Sequence, residues 1–328
     1  MSVEQILDNI YKIEVPLPRN PLRSINDYLI KDKTKSILID TAMNMEECSE
    51  VLIEALNSLN IDFQNLDLII THMHADHAGL LGLIKELSKN KANIYMSELD
   101  GNILNDISTW DKMHKILMKN GFPEELLEKA ILKHPGHMFS HKSKFSFIPL
   151  NEGDSISINK YNLTFVSTPG HTQGHICIYE KNNNILFSGD HILDDITPII
   201  AIETSEDINP LDNYMKSLEK ISNYNINLVL PGHRKIITDI NKRIDEIIKH
   251  HYKRLNEIVN ILKNNKVAMS AYEMASQMSW DINYSEWGDF PIAQKWFATG
   301  EAASHLEYLY QKGEIKKKYN NNKIYYYI

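Results

Sequence analysis

Cysteine is nearly absent: only Cys48 and Cys177 occur in 328 residues. Two cysteines without ligand spacing exclude a thiolate metal site and a disulfide framework, and they fit a reducing cytoplasm. Long apolar runs are missing as well. Stretches such as Ile199–Ile202 fall far short of the roughly 20 residues a membrane-spanning helix needs, so no membrane partner is expected. Met1–Leu7 holds Glu4 and no basic cluster ahead of an apolar core, unlike a secretory leader, which again points to the cytoplasm. Positive charge is not in excess. The formal net charge of −8 excludes a protein that coats nucleic acid with its whole surface. With 13 glycines and 11 prolines, and no internal repeat, collagen-like and low-complexity chains are excluded too.

What is present is ordinary globular composition, 43% hydrophobic and 24% charged, in a length that suggests about two domains. Residues 1–240 alternate short apolar runs with helical patterns. The runs predict strands at Tyr11–Val15, Tyr28–Lys31, Ser36–Asp40, Leu66–Ile70, Asn93–Met96, Phe145–Pro149, Leu163–Ser167, His175–Tyr179, Ile185–Ser188 and Leu228–Leu230. Apolar spacing of three and four predicts helices at Met45–Leu59, Ala78–Ser88 and Leu211–Ser222. Residues 101–142 are polar and helical and interrupt the strand series, so they read as a cap inserted over a cleft. Beyond residue 240 the character changes. Helices are expected at Arg243–Leu262, Ser270–Met278 and Gln294–Lys312, then a hairpin with arms Glu314–Lys318 and Lys323–Ile328 around Asn320, Asn321 and Asn322. Helices followed by a hairpin describe a small winged-helix module over residues 241–328, with 13 basic against 10 acidic residues.

Chemistry concentrates in Thr71-His72-Met73-His74-Ala75-Asp76-His77, directly after an apolar strand and directly before a helical pattern. At this chain's own His and Asp frequencies the pattern arises by chance on the order of 0.002 times. Two histidines spaced by two in extended chain point the same way, while Asp76 and His77, at the turn into a helix, face a second, adjacent point. Imidazole and carboxylate are ligands for zinc and similar divalent ions. Four residues do not complete two metal sites. Three further apolar strands end in glycine turns that present His or Asp: Pro169-Gly170-His171 with His175, Gly189-Asp190-His191, and Pro231-Gly232-His233. Loops at strand ends are where a rigid scaffold displays reactive groups.

Over residues 10–240 these stretches resemble the metallo-β-lactamase-fold hydrolases. Gly189-Asp190-His191-Ile192-Leu193, Pro231-Gly232-His233 and His250-His251 with Arg254 resemble most the members that carry a C-terminal winged helix. The resemblance implies an α/β (α+β) fold: a four-layer αβ/βα sandwich with two divalent ions at the edge of its sheets. It implies that His72, His74 and His171 hold one ion, that Asp76, His77 and His233 hold the other, and that Asp190 bridges both. Histidine at position 74 argues against the diiron flavoprotein branch, which has Glu there, and for zinc, with manganese or iron as alternatives. Asp40 matches a family aspartate that supports the ligand loop, as a carboxylate orienting a ligand histidine does. Tyr28 resembles the family's strand tyrosine and reads as packing.

The implied reaction is hydrolysis by a hydroxide shared between two ions, with Asp76 steering the proton. No serine or cysteine nucleophile is needed, so Ser188 and Cys177 read as packing residues. His175 reads as a hydrogen-bonding loop residue, and His191 as the same or a substrate contact. His134, His137 and His141 read as exposed residues of the insertion, with the lining of a substrate pocket as the alternative, and Trp110, Met113, Ile116 and Leu117 as its core or else a hydrophobic substrate wall. His251 and Arg254 share one helix face, either solvated or folded over the cleft. The expected substrate is a small ester, thioester or lactone. The alternatives are a metal-dependent endoribonuclease or phosphodiesterase with RNA as partner, and a nucleic-acid-binding regulator using Lys316, Lys317, Lys318 and Lys323 of the hairpin. The wing equally suits a homodimer interface. An exported β-lactamase is not expected. Fold alone does not name the substrate.

Overall fold

The computed structural model describes residues 2–205 and 208–328. They fall into two compact units. The first holds the chain to Asp106, Met138–Pro198 and Ser217–Ile244, and the second holds Ile107–His137, Ile199–Lys216 and Asp245–Ile328.

The first unit is built on two sheets. Strands β1 (Ser2–Leu7), β2 (Ile10–Pro16), β3 (Ser24–Ile30), β4 (Ser36–Ile39), β5 (Leu66–Ile69), β6 (Ile94–Ser97) and β7 (Ile148–Leu150) lie side by side in chain order. The pairs from β1 to β4 are antiparallel and those from β4 to β7 parallel. The second sheet runs β12 (Leu228–Pro231), β11 (Ile185–Gly189), β10 (Ile176–Glu180), β9 (Tyr161–Ser167), β8 (Ser155–Ile158), with only β11–β12 parallel. Tyr28, Ile30, Ile39 and Ile69 from the first sheet meet Leu163, Phe165, Ile178 and Phe187 from the second in one buried layer. The pleat sends neighbouring residues to opposite faces. Ile25 and Leu29 of β3 therefore join Leu52, Leu56, Leu81 and Ile84 in a layer beneath helices α1 (Glu46–Ser58) and α3 (Leu81–Leu87). A two-residue gap separates α3 from the short α2 (Ala75–Ala78). Further along lie α4 (Glu98–Asn105), α5 (Thr109–Lys119), α6 (Glu124–Lys133), α7 (Pro135–Phe139) and α8 (Pro210–Ser222). The second half of α8 ties to the second sheet: Ser217 Oγ donates to the Pro169 carbonyl and Lys220 Nζ to that of Ser167.

In the second unit α5 and α6 belong with α9 (Ile240–Asn265, from Asp245 onward), α10 (Ala271–Ala275), α11 (Ile292–Gln311) and the hairpin β13 (Lys316–Asn320) and β14 (Lys323–Tyr327). Ser270 and Glu273 close a reciprocal cap at the start of α10. Asn321 and Asn322 turn the hairpin at φ 48° and 62°, the left-handed pair a tight two-residue turn requires. Met269 pairs with Tyr326 through both backbone bonds, adding a third strand position beside the hairpin. None of the described helices is long and apolar enough to cross a membrane.

The architecture is a mixed α/β sandwich with a helical C-terminal region, as the sequence predicts. Several elements differ. β1 and β8 are not predicted, because SVEQIL and SISI are short and half polar. The strand expected at Phe145–Pro149 begins only at Ile148, since the Asn105 amide clamps both the N–H and the carbonyl of Phe145. The helix expected over Ala78–Ser88 is two pieces, α2 and α3. The insertion histidines are half-buried rather than exposed: His134 packs its ring within 4.8 to 5.2 Å of those of Phe297, Trp110 and Trp296.

Candidate metal centre

The site side chains leave from strand ends at one edge of each sheet. Asp40 follows β4, His72–His77 follows β5, His171 and His175 follow β9, Asp190 follows β11, and His233 follows β12. Strand ends hold such loops on rigid supports. Asp40 itself sits at φ 62°, a left-handed conformation that Asp tolerates better than most residues. Gly232 is constrained by space: a Cβ there would lie 2.7 Å from His77 Cε1 and 2.8 Å from Asp190 Oδ1.

The loops bring the seven ligand candidates together in three overlapping groups: His72, His74 and His171; His72, His77 and Asp190; Asp76, His77 and His233. Within each group the donor atoms lie within 4.8 Å of one another. His72 Nε2 and His74 Nδ1 are 3.1 Å apart. Two nitrogens about 2.05 Å from one tetrahedral ion would be about 3.3 Å apart. Asp190 faces both ways. Its Oδ1 lies 3.4 Å from His77 Nε2 and 3.6 Å from His233 Nε2, while Oδ2 lies 3.6 Å from His171 Nε2. Asp76 Oδ2 lies 3.3 Å from His233 Nε2.

Surrounding groups fix the tautomers. Thr71 donates its N–H (2.7 Å) and hydroxyl (2.8 Å) to Asp40, and that hydroxyl oxygen lies 3.0 Å from His72 Nδ1. His77 Nδ1 donates to Asp40 at 2.8 Å, and His233 Nδ1 donates to the Ser24 carbonyl at 2.7 Å. Each ring thereby turns its Nε2 inward. His77 Nε2, His233 Nε2 and Asp190 Oδ1 are buried and make no well-formed hydrogen bond. Buried polar atoms normally have partners. Imidazole nitrogens turned inward beside carboxylate oxygens are a donor set that fits divalent cations, which would displace the protons that His77 and His233 otherwise hold.

Protonation follows the same geometry. Burial, then the neighbouring His77, His74 and His171, hold His72 well below the ordinary imidazole range, so it is neutral and ready to ligate. Burial opposes charge on His77, but Asp190 and Asp40 outweigh it and raise the ring well above that range. Burial likewise opposes ionisation of Asp76, yet the His233 ring 3.3 Å away and then His77 bring it down to about 2. His72, His77 and His233 are wholly inaccessible, whereas His74 is half-buried, His171 and Asp190 keep 6% exposure and Asp76 8%, so the open side is theirs.

The other predicted residues separate clearly. Asp40 is buried against Thr71 and His77, as described. His175 accepts the Asp190 N–H at Nε2 (3.2 Å) and reaches Thr168 through Nδ1 (2.8 Å), which leaves no nitrogen for a metal. His191 is fully buried, so its ring is closed to a substrate. Ser188 Oγ donates to the Ile192 carbonyl, and Cys177 is buried with its thiol pushed up to about 12 by burial. His251 and Arg254 are not a solvated face: at 1% and 6% exposure they are packed inside the second unit, against His305 and against Glu257, Glu301 and Trp280. Asp27 and Asp100 are among the buried acids that were not anticipated. Asp100 accepts bonds from Met73, Thr172 and Gly174. Asp27 is buried with neither oxygen hydrogen-bonded. Neither lies in a His/Asp motif. Asp100 offered one signal, a Ser97-x-x-Asp100 cap opening a helix.

Comparison with known proteins agrees with this geometry. The family described as the metallo-beta-lactamase superfamily matches residues 20–233. The chain belongs to the metallo-beta-lactamase superfamily and shares its hydrolase scaffold. It is 27% identical over 321 residues to the Beta-lactamase-like protein 2 homolog of Caenorhabditis elegans, covering 96% of this chain and 88% of that one. It is 24% identical to the Probable metallo-hydrolase YqjP of Bacillus subtilis, covering 97% and 98%. It is also 23% identical to the Atrochrysone carboxyl ACP thioesterase nsrC of Aspergillus novofumigatus, covering 84% and 66%. Among solved structures, the metallo-beta-lactamase family protein TTHA1429 of Thermus thermophilus aligns at TM-score 0.82 and 25% identity, covering 98% of this chain and 99% of that one.

Proposed function

We propose that the chain is a dinuclear metal-dependent hydrolase of small esters, thioesters or lactones. The observation that carries the reading is Asp190, whose two oxygens face different histidine sets. In this reading His72, His74 and His171 hold one ion, Asp76, His77 and His233 the other, and Asp190 is shared. The imidazole-rich donor set favours zinc over manganese or iron. Ions held there would supply a water of near-neutral pKa and polarisation of the bond to be cleaved.

The chain's own residues do the rest. Two ionised carboxylates, Asp76 and Asp190, would offset only part of the charge of two divalent ions, so the loaded pocket would stay electropositive and would draw an electron-rich acyl oxygen. Asp76, ionised and on the open side, steers the proton of the attacking water. Asp40 keeps His77 in one tautomer and, through Thr71, His72 as well. The relative named as a thioesterase supports an acyl substrate. The second unit, with α9, the Met269 strand position, α10, α11 and the hairpin in that order, reads as a winged-helix module. Its hairpin is a poor RNA surface. Lys317 is bound to Glu307 at 2.8 Å, while Lys316 and Lys318 lie over Tyr327. Free cysteines and the composition support a cytoplasmic location.

The test is metal analysis of the purified protein with a substrate panel of acyl thioesters, lactones, phosphodiesters and short RNAs. The expected result is two ions per chain and turnover of a thioester or lactone. Asp190→Ala and His74→Ala should each lose metal and hydrolysis together. Full activity in either variant, or a metal-free active protein, overturns the reading.

A further inference from the structure

Asp100 is a wholly buried carboxylate in the first turn of α4, at the junction with β6. Its hydrogen bonds are unusual in where they go. Oδ2 accepts the Met73 N–H at 3.0 Å and the Thr172 hydroxyl at 2.6 Å, and Oδ1 accepts the Gly174 N–H at 2.9 Å. Met73 lies between His72 and His74, and Thr172 follows His171. Three donors converge, so only an acceptor-only group satisfies them all. An amide in its place would turn its own N–H₂ toward one of them. Gly174 has no Cβ because one would collide with Ser97 Oγ and Asp100 Oδ1, so the loop amide reaches the carboxylate. Asp40, by contrast, bonds Thr71 and His77 and does not touch the His171 loop in any of its hydrogen bonds.

We propose that Asp100 is the positioning residue of the His72–His74–His171 set, registering the β5 loop against the β9 loop so that three imidazoles converge on one ion. This rests on the dinuclear reading above. Asp40 acts on His77 and, through Thr71, on His72, whereas the Asp100 bonds go to Met73, Thr172 and Gly174, so loss of Asp100 weakens the first set and spares His77 and His233. Loss of a group that orients a ligand lowers metal affinity by about 10- to 100-fold.

The experiment titrates metal-free full-length protein with zinc by calorimetry and with cobalt by its visible spectrum. Asp100→Asn should weaken one of two binding steps by about 10- to 100-fold, alter one cobalt signature and leave the second step unchanged. Thr172→Val, which deletes one donor and keeps the fold, should weaken the same step by a smaller factor, and Thr172→Ser should restore it. Unchanged steps in Thr172→Val, or both steps weakened equally, would overturn the proposal. A wild-type chain that takes up no second ion refutes instead the dinuclear reading beneath it, so the two failures are distinct.

Discussion

Asp27 shows what a single side chain costs in the wrong medium. It shares a face of β3 with Ile25 and Leu29 and so points into the apolar layer beneath α1. Burial, then the nearby charge of Asp40, pushes its carboxyl well above the usual range. The sign of the linkage follows. With a raised folded pKa the native chain keeps the proton while the unfolded chain, at pKa near 3.9, releases it, so stability falls as pH rises above about 4. Asp27→Asn removes the titration without changing size. It should raise the urea midpoint at pH 7, by about 1–3 kcal/mol in stability, and the gain should shrink toward pH 4. An equal gain at both pH values would contradict the assignment of a buried acid.

At the scale of elements, α9 and α11 are joined by a chain of histidines. His305 Nδ1 donates to the Glu301 carbonyl (2.8 Å), which leaves its Nε2 to accept from His251 Nδ1 (3.1 Å). Both rings are therefore neutral. Burial drives His305 down to about 3, and burial with the neighbouring His305 lowers His251 well below the ordinary range. An unfolded histidine titrates near 6.5, so between about 6.5 and 3 the unfolded chain binds more protons and stability is lost as pH falls. The melting temperature should drop on acidification from pH 7 to 5, and His305→Gln should flatten that slope. A variant with the wild-type slope would place the acid sensitivity elsewhere. The sequence carried the spacing of His251 and Arg254 on one face. It did not carry the burial of that face, because the partners at 301 and 305 come from a helix some fifty residues on.

For the whole molecule, the centre is a set of five buried or half-buried imidazoles and two carboxylates whose protonation preferences conflict. Bound cations relieve that conflict, and a ligand that binds only the folded chain stabilises it by about 4 kcal/mol at a thousand times its Kd. Chelation should therefore lower the unfolding temperature of the wild type markedly and that of Asp190→Ala much less. Equal effects would mean that the ions contribute nothing to the fold. The same reasoning makes Asp100 and Asp40 structural elements of the metal-free protein, since their hydrogen bonds are complete without any ion.

The motif residues were legible because metal chemistry confines them to few residue types at fixed spacings: His72, His74, Asp76 and His77 after one strand, and glycine turns before His171, Asp190 and His233. Most strands were legible for a similar reason, since a strand buried in a sandwich reads as a continuous apolar run. What needed the tertiary structure was every role set by a distant neighbour. His175 reads from the sequence as a hydrogen-bonding residue, but its partners, Asp190 and Thr168, come only from the fold, and the burial of His191 is likewise set by distant neighbours. Asp100 carries only the local pattern of a helix cap, and Asp27 carries none. Their meaning comes from which loops converge on the first and which apolar side chains surround the second, and contacts across tens to a hundred residues leave no periodicity in the chain.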